Sequence, residues 1–118
     1  MLGLLNDGDA RRQLASENLQ APHLVDSEVV HAMRAQVLRR RIGVDEAWAL
    51  VDRWRRLGLR RHPAAGLLAR VWSLRDNLSA YDATYVALAE ALGCPLLTAD
   101  ARIATSPGVL CPVVVVRR

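Results

Sequence analysis

Three carboxylates sit where carboxylates are costly. Glu28 lies one helical turn after Val25 and one before Ala32, so it edges the apolar stripe of its helix. Asp82 shares a helix face with Tyr85, Val86 and Ala89. Asp100 follows Leu96-Leu97-Thr98-Ala99, directly past the C-terminal end of a short apolar strand. Acids are rarely buried without a partner. In open α/β sheets, ligands bind in the crevice beyond the carboxyl ends of the strands. Three acids converging there repel one another unless a hard cation such as Mg2+ or Mn2+ neutralises them.

Each acid also has a purely structural reading. Ser79-Ala80-Tyr81-Asp82 fits a capping box, in which Asp82 serves the backbone N–H groups of its own helix. Asp100 fits the N-cap of a short helix starting at Ala101, and Glu28 fits an acid favoured by a helix dipole. Asp26 and Ser27 read as cap residues. Glu28-x-x-His31 has the spacing of half a di-metal carboxylate site, but the sequence holds no second copy. His23, His31 and His62 lack zinc-ligand spacing and read as structural or surface residues. The chain has no Gly-rich phosphate loop and no nucleophile elbow.

The elements that must position these acids follow from Gly, Pro and cap punctuation. Residues 9–17 read as a helix after the Asn6-Asp7-Gly8 turn, and Leu19 to Pro22 as a brief strand. Apolar recurrence at 25, 29, 32/33 and 37 predicts a helix from Leu24 to Arg40, broken at Ile42-Gly43. A second helix runs from Val44 to Leu57, closed by Gly58, with Trp48, Leu50, Val51 and Trp54 at helical spacing as a core or dimer face. Leu59 to His62 reads as a short strand. Ala64 to Arg75 and Ser79 to Leu92 read as helices, the latter closed by Gly93. Pro95 to Thr98 reads as a short buried strand, and Val113 to Val116 is the clearest strand in the chain. Helices alternating with short apolar strands predict an α/β fold with a largely parallel sheet.

At 118 residues the expectation is one compact domain, 1–118. With 52% hydrophobic and 24% charged residues the balance is globular rather than disordered. No apolar run approaches a membrane span, and the first residues lack the pattern of a signal peptide. Cys94 and Cys111 form no CxxC pattern and read as reduced, buried thiols of a cytoplasmic protein. The formal charge of +4 comes from 16 Arg against 12 acidic residues, with no Lys in the chain, and it is unevenly placed. Residues 34–61 hold nine Arg (34, 39, 40, 41, 53, 55, 56, 60 and 61) against Asp45, Glu46 and Asp52. Such a segment is either a solvated face or a seat for a polyanion.

Three stretches carry a family resemblance: Ala21-Pro22-His23-Leu24-Val25-Asp26-Ser27-Glu28-Val29, Asn77 to Glu90 with its Tyr81-Asp82-Ala83-Thr84-Tyr85-Val86-Ala87-Leu88-Ala89-Glu90 string, and Leu96-Leu97-Thr98-Ala99-Asp100. In this order they resemble the successive motifs of PIN-domain ribonucleases, and most closely the VapC toxins of bacterial toxin–antitoxin modules. The resemblance implies a PIN-like three-layer fold, a mostly parallel sheet flanked by helices. It implies that Glu28, Asp82 and Asp100 hold Mg2+ or Mn2+ and form the catalytic set, with Thr98 beside the metal. The implied reaction is metal-dependent hydrolysis of an RNA phosphodiester, one carboxylate accepting a proton from the attacking water. Arg39, Arg40, Arg41, Arg53 and Arg56 then hold the RNA backbone. The implied partners are RNA such as tRNA or rRNA, a cognate VapB-like antitoxin and a second copy of the chain.

One family feature has no match. The first acid of the pattern, an Asp closing an N-terminal apolar strand, has no counterpart, and Asp7 and Asp9 are poor substitutes. The expectation is a PIN-like fold lacking its usual first strand, N-terminally truncated relative to the family. On that reading either the natural protein is longer and a complete nuclease, or the short form is a catalytically inactive remnant that binds antitoxin or RNA. The 118-residue form alone is expected to be poorly soluble or unstable, because a missing strand leaves apolar sheet edges open.

Overall fold

The computed structural model describes residues 19–116. The helix expected at 9–17, the family's first strand, and Asp7 and Asp9 lie outside the described residues. The described chain alternates strands and helices: β1 (Gln20–Pro22), α1 (Leu24–Leu38), α2 (Val44–Arg55), β2 (Arg60–His62), a 3-10 turn (Ala65–Leu67) running into α3 (Leu68–Ser73), α4 (Ala80–Leu92), β3 (Leu96–Thr98), α5 (Ala101–Ala104) and β4 (Val113–Val115).

The strands are parallel, as an α/β fold requires. They form two separate pairs rather than one continuous sheet among the described residues. β1 pairs with β2, with Ala21 opposite Arg61, and β3 pairs with β4, with Leu97 opposite Val114. Helix α4 packs against both β1 and β3 and so joins the two pairs from one side.

That helix is the centre of the core. Residues Ala83 to Ala89 are all buried, with Ala83 and Val86 fully so. A helix this apolar around its whole circumference has to be surrounded by other elements. Its ends are set by local chemistry. Ser79 Oγ accepts from the Asp82 amide at 3.1 Å, satisfying one orphan N–H of the first turn. Gly93, at φ 64°, closes the last turn in the left-handed region. Gly93 N–H then reaches the Glu90 carbonyl, and Cys94 N–H the Ala89 carbonyl.

Helices α1 and α2 form an antiparallel hairpin, tied at its base where Trp54 Nε1 donates to Asp26 Oδ1 at 2.8 Å. The first helix closes differently from the expectation. The residue in the left-handed region is Arg40, at φ 58°, and not Gly43. Similarly, α2 ends at Arg55, ahead of Gly58. The expected helix over 64–75 is shorter, because its first turn is 3-10. Trp48, expected in a core or dimer face, is 59% exposed with the Arg55 guanidinium stacked over its ring.

Candidate active site

One cleft of about 710 Å³ gathers the three acids. Helix α1 contributes Ser27, Glu28 and His31 to its wall, α4 contributes Tyr81, Asp82 and Tyr85, and the end of β3 contributes Thr98 and then Asp100. The three carboxylates thus arrive from three different elements. Glu28 and Asp82 each sit near the start of a helix, and Asp100 lies past the carboxyl end of a parallel strand, where α/β folds open their crevices.

Glu28 is in the second turn of α1, so the acid of the first turn is Asp26 instead. The Glu28 carboxylate Oε1 accepts a hydrogen bond from the Tyr85 hydroxyl. Burial, foremost, and then this bond to Glu28 push the Tyr85 phenol far up, so it remains a donor. Asp82 follows the capping-box reading only halfway. Its amide is capped by Ser79, but its carboxylate has no hydrogen-bond or ion-pair partner among the described residues.

Asp100 does two things at once. It is the N-cap of α5, accepting from the Arg102 amide at 3.0 Å, and it is held bidentately by the Arg102 guanidinium, Nε at 3.0 Å and Nη2 at 2.8 Å. The Arg102 hydrogen bonds hold its carboxyl down at about 2. Thr98, 2% exposed, accepts from the Asp100 amide through Oγ1 at 3.0 Å and so fixes the turn that presents Asp100.

Whether this wall suits a divalent cation rests on its donors. Among the described residues no three Asp, Glu, His or Cys side chains meet at a common point. The acids face one cleft, and two of the three are engaged by Tyr85 and Arg102. The donor set is nevertheless hard oxygen throughout, the kind Mg2+ and Mn2+ select. Mg2+ in particular keeps several waters and needs only one or two direct carboxylates. The residues fit such an ion.

Asp26, expected as a cap, makes no capping bond. It instead bridges three elements, accepting from Trp54 Nε1 and from Arg61 Nε at 2.6 Å and Nη2 at 3.0 Å. The Arg61 hydrogen bonds hold the Asp26 carboxyl below the usual carboxylate range against the opposing effect of burial, and the Trp54 bond adds to them. This bridge pins α1 two residues before Glu28.

The arginines divide between the two ends of the α1–α2 hairpin. Arg39, Arg40 and Arg41 are exposed at its tip. That tip lies about 16 Å along α1 from Glu28 at 1.5 Å per residue. Arg53 and Arg56 are exposed at its base, near Asp26, with Arg56 Nη2 3.0 Å from Asp52.

Sequence reasoning missed Tyr85, Arg102 and His31 as parts of this wall. Tyr85 carried a signal, since it stands three residues after Asp82 on the same helix face. His31 stands three after Glu28, and Arg102 two after a predicted N-cap.

Comparison with known proteins places the chain. The sequence model of the PIN domain matches residues 5–107. Ribonuclease VapC9 of Mycobacterium tuberculosis (strain H37Rv) is 49% identical over 118 residues, covering 100% of this chain and 93% of that protein. Ribonuclease VapC1 of the same organism is 45% identical over 108 residues, 90% of this chain and 81% of that protein. Ribonuclease VapC12 is 40% identical over 97 residues, 82% of this chain and 75% of that protein. A parallel α/β chain with an acid-lined cleft at a strand end, matched over most of its length by these proteins, belongs to the PIN-domain family and, within it, to the VapC ribonucleases.

Proposed function

We propose that this chain is a VapC-type endoribonuclease toxin, dependent on Mg2+ or Mn2+, that hydrolyses RNA phosphodiester bonds. The carrying observation is that Glu28, Asp82 and Asp100, from α1, α4 and the end of β3, wall one cleft in a member of this family. These three carboxylates hold the cation. When bound, the ion supplies neutralisation of phosphoryl charge and polarisation of water.

The chain's own residues do the positioning. Tyr85 orients Glu28, and Thr98 fixes the turn bearing Asp100. The Arg102 guanidinium holds Asp100 in place beside the cleft and keeps its carboxyl down at about 2. Asp82, without a donor among the described residues, is the carboxylate placed to take a proton from water at its Oδ atoms. Arg39, Arg40 and Arg41 at the hairpin tip and Arg53 and Arg56 at its base hold the RNA backbone through phosphate contacts. Residues 1–118 act as a single PIN-like domain. The partners are tRNA or rRNA, a cognate VapB-like antitoxin that neutralises the activity, and a second copy of the chain. No helix among the described residues is long and apolar enough to cross a membrane. The setting of this reaction is the cytoplasm, where RNA is.

The test compares RNA cleavage by the natural chain and by Asp82→Asn, each with Mg2+ and with chelator. Cleavage that needs Mg2+ and falls at least about 100-fold in the variant supports the assignment. Equal cleavage by both proteins rejects it. RNA or antitoxin binding by the natural chain without any cleavage identifies an inactive binding module instead.

A further inference from the structure

The end of the β3–β4 pair opposite the cleft holds both cysteines of the chain. Cys94 and Cys111 are free thiols, each half-buried and packed against the same core cluster. β3 and β4 are in parallel register with Leu96 opposite Val113. The Leu96 N–H to Pro112 carbonyl bond, 2.9 Å, continues that ladder toward the strand starts. Carried back two residues, past the first pair of both strands, the same register would bring Cys94 level with Cys111. Hydrogen-bonded strands lie about 4.8 Å apart. That falls inside the roughly 4.4–6.8 Å Cα separation that disulfides span.

Both backbones are held in place independently of the sulfurs. Cys94 N–H is fixed to the Ala89 carbonyl at the end of α4. Cys111 stands between two anchored neighbours, Pro112 in the ladder and Leu110, whose N–H donates to Glu90 Oε2 at 2.9 Å. Glu90 is in turn clamped by Arg70, Nε at 2.7 Å, and Arg70 also donates to the Gly108 carbonyl at 2.6 Å. Burial first, then the Glu90 carboxylate, and behind them Cys94, push the Cys111 thiol up.

We propose that Cys94 and Cys111 are a redox modification site, closing to a reversible intrachain disulfide with low-molecular-weight disulfides as oxidant. One cysteine thiolate attacks the small disulfide, breaking its S–S bond, forming a mixed disulfide and releasing one small thiol. The second cysteine thiolate attacks the protein sulfur of that mixed disulfide and releases the other small thiol. The protein loses two electrons and two protons, and the small disulfide gains both. The segment so enclosed carries Thr98, Asp100 and Arg102. Cross-linking its ends removes conformational freedom from the unfolded chain and stabilises the fold.

Trypsin makes the state readable, because cleavage after Arg102 puts Cys94 and Cys111 in different peptides. The folded protein is equilibrated in buffers of rising glutathione disulfide to glutathione ratio, then acid-quenched, alkylated and digested. The expected result is a disulfide-linked peptide pair, lighter by two hydrogens than the two thiol peptides and separated by dithiothreitol. The oxidised protein melts several degrees above the reduced one, and Cys94→Ser and Cys111→Ser each take up one glutathione instead. Wild-type protein that accumulates glutathione on both cysteines, that links to a second chain, or that keeps two alkylatable thiols in the most oxidising buffer overturns the proposal.

Discussion

The Tyr85 hydroxyl on α4 donates to Glu28 Oε1 on α1, joining two residues 57 apart in sequence across the floor of the cleft. Among the described residues it is the one direct side-chain bond between the helices that present Glu28 and Asp82, and burial keeps the phenol protonated and therefore able to donate.

Tyr85→Phe removes that donor and little volume. Outer residues that orient a metal-binding side chain typically change affinity or activity by about 10–100-fold when lost. The Mg2+ concentration for half-maximal RNA cleavage is expected to rise by about 10-fold, with stability lowered by about 1 kcal/mol. Metal titrations of the cleavage rate beside thermal melts check both. An unchanged titration removes Tyr85 from the positioning role.

Asp26→Ala breaks the bridge from α1 to Trp54 and Arg61 at once. Asp26 is 43% exposed and Arg61 25%, so solvent screens the pair and the expected loss is about 1 kcal/mol. Urea denaturation reads it. Asp26→Asn retains an acceptor for Trp54 and is expected to fall between the two.

Acid weakens the fold through Glu90. Its carboxyl lies below its ordinary 4.5, chiefly through the Arg70 hydrogen bonds, against which burial works in the other direction. A carboxylate depressed in the folded state stabilises above its unfolded pKa and loses that contribution as pH falls through the folded value. Asp26, also depressed, has the same sign. The urea midpoint is therefore expected to fall as pH is lowered from about 5 toward 3. Glu90→Gln is expected to be less stable near neutrality and to show a flatter acid limb.

Charge at the hairpin tip is read by salt. Each phosphate contact to single-stranded RNA contributes about 0.7 to the slope of log affinity against log salt. Replacing Arg39, Arg40 and Arg41 together by Gln is expected to lower that slope by up to about 2 and to weaken binding to all RNA sequences alike. Filter binding between low and moderate salt measures it. An unchanged slope places the RNA elsewhere.

What the residues foretold depended on how local the physics was. Helix α4 was legible because its two ends are set within a few residues, by Ser79 and by Gly93. The placement of Asp100 was legible because a short apolar run followed by an N-cap acid is a strand end. The Asp26 bridge was not, since the same sequence that suits a helix cap also suits a partner 35 residues away, and only the β1–β2 register brings Arg61 to it. Trp48 shows the same limit: helical spacing marks a face but not what lies against it, and within this chain the indole is 59% exposed with the Arg55 guanidinium over its ring. Among the described residues the parallel strands form two pairs, and which strands pair is a long-range choice that alternation of helix and strand does not settle.

The pairing of β3 with β4 also bears on how such a chain is made. Asp100 is presented by β3, and β3 has its only strand partner among the described residues in Val113–Val115. β3 therefore gains that partner only once Val113–Val115 has been synthesised, so the turn that presents Asp100 is secured later than the strand it follows.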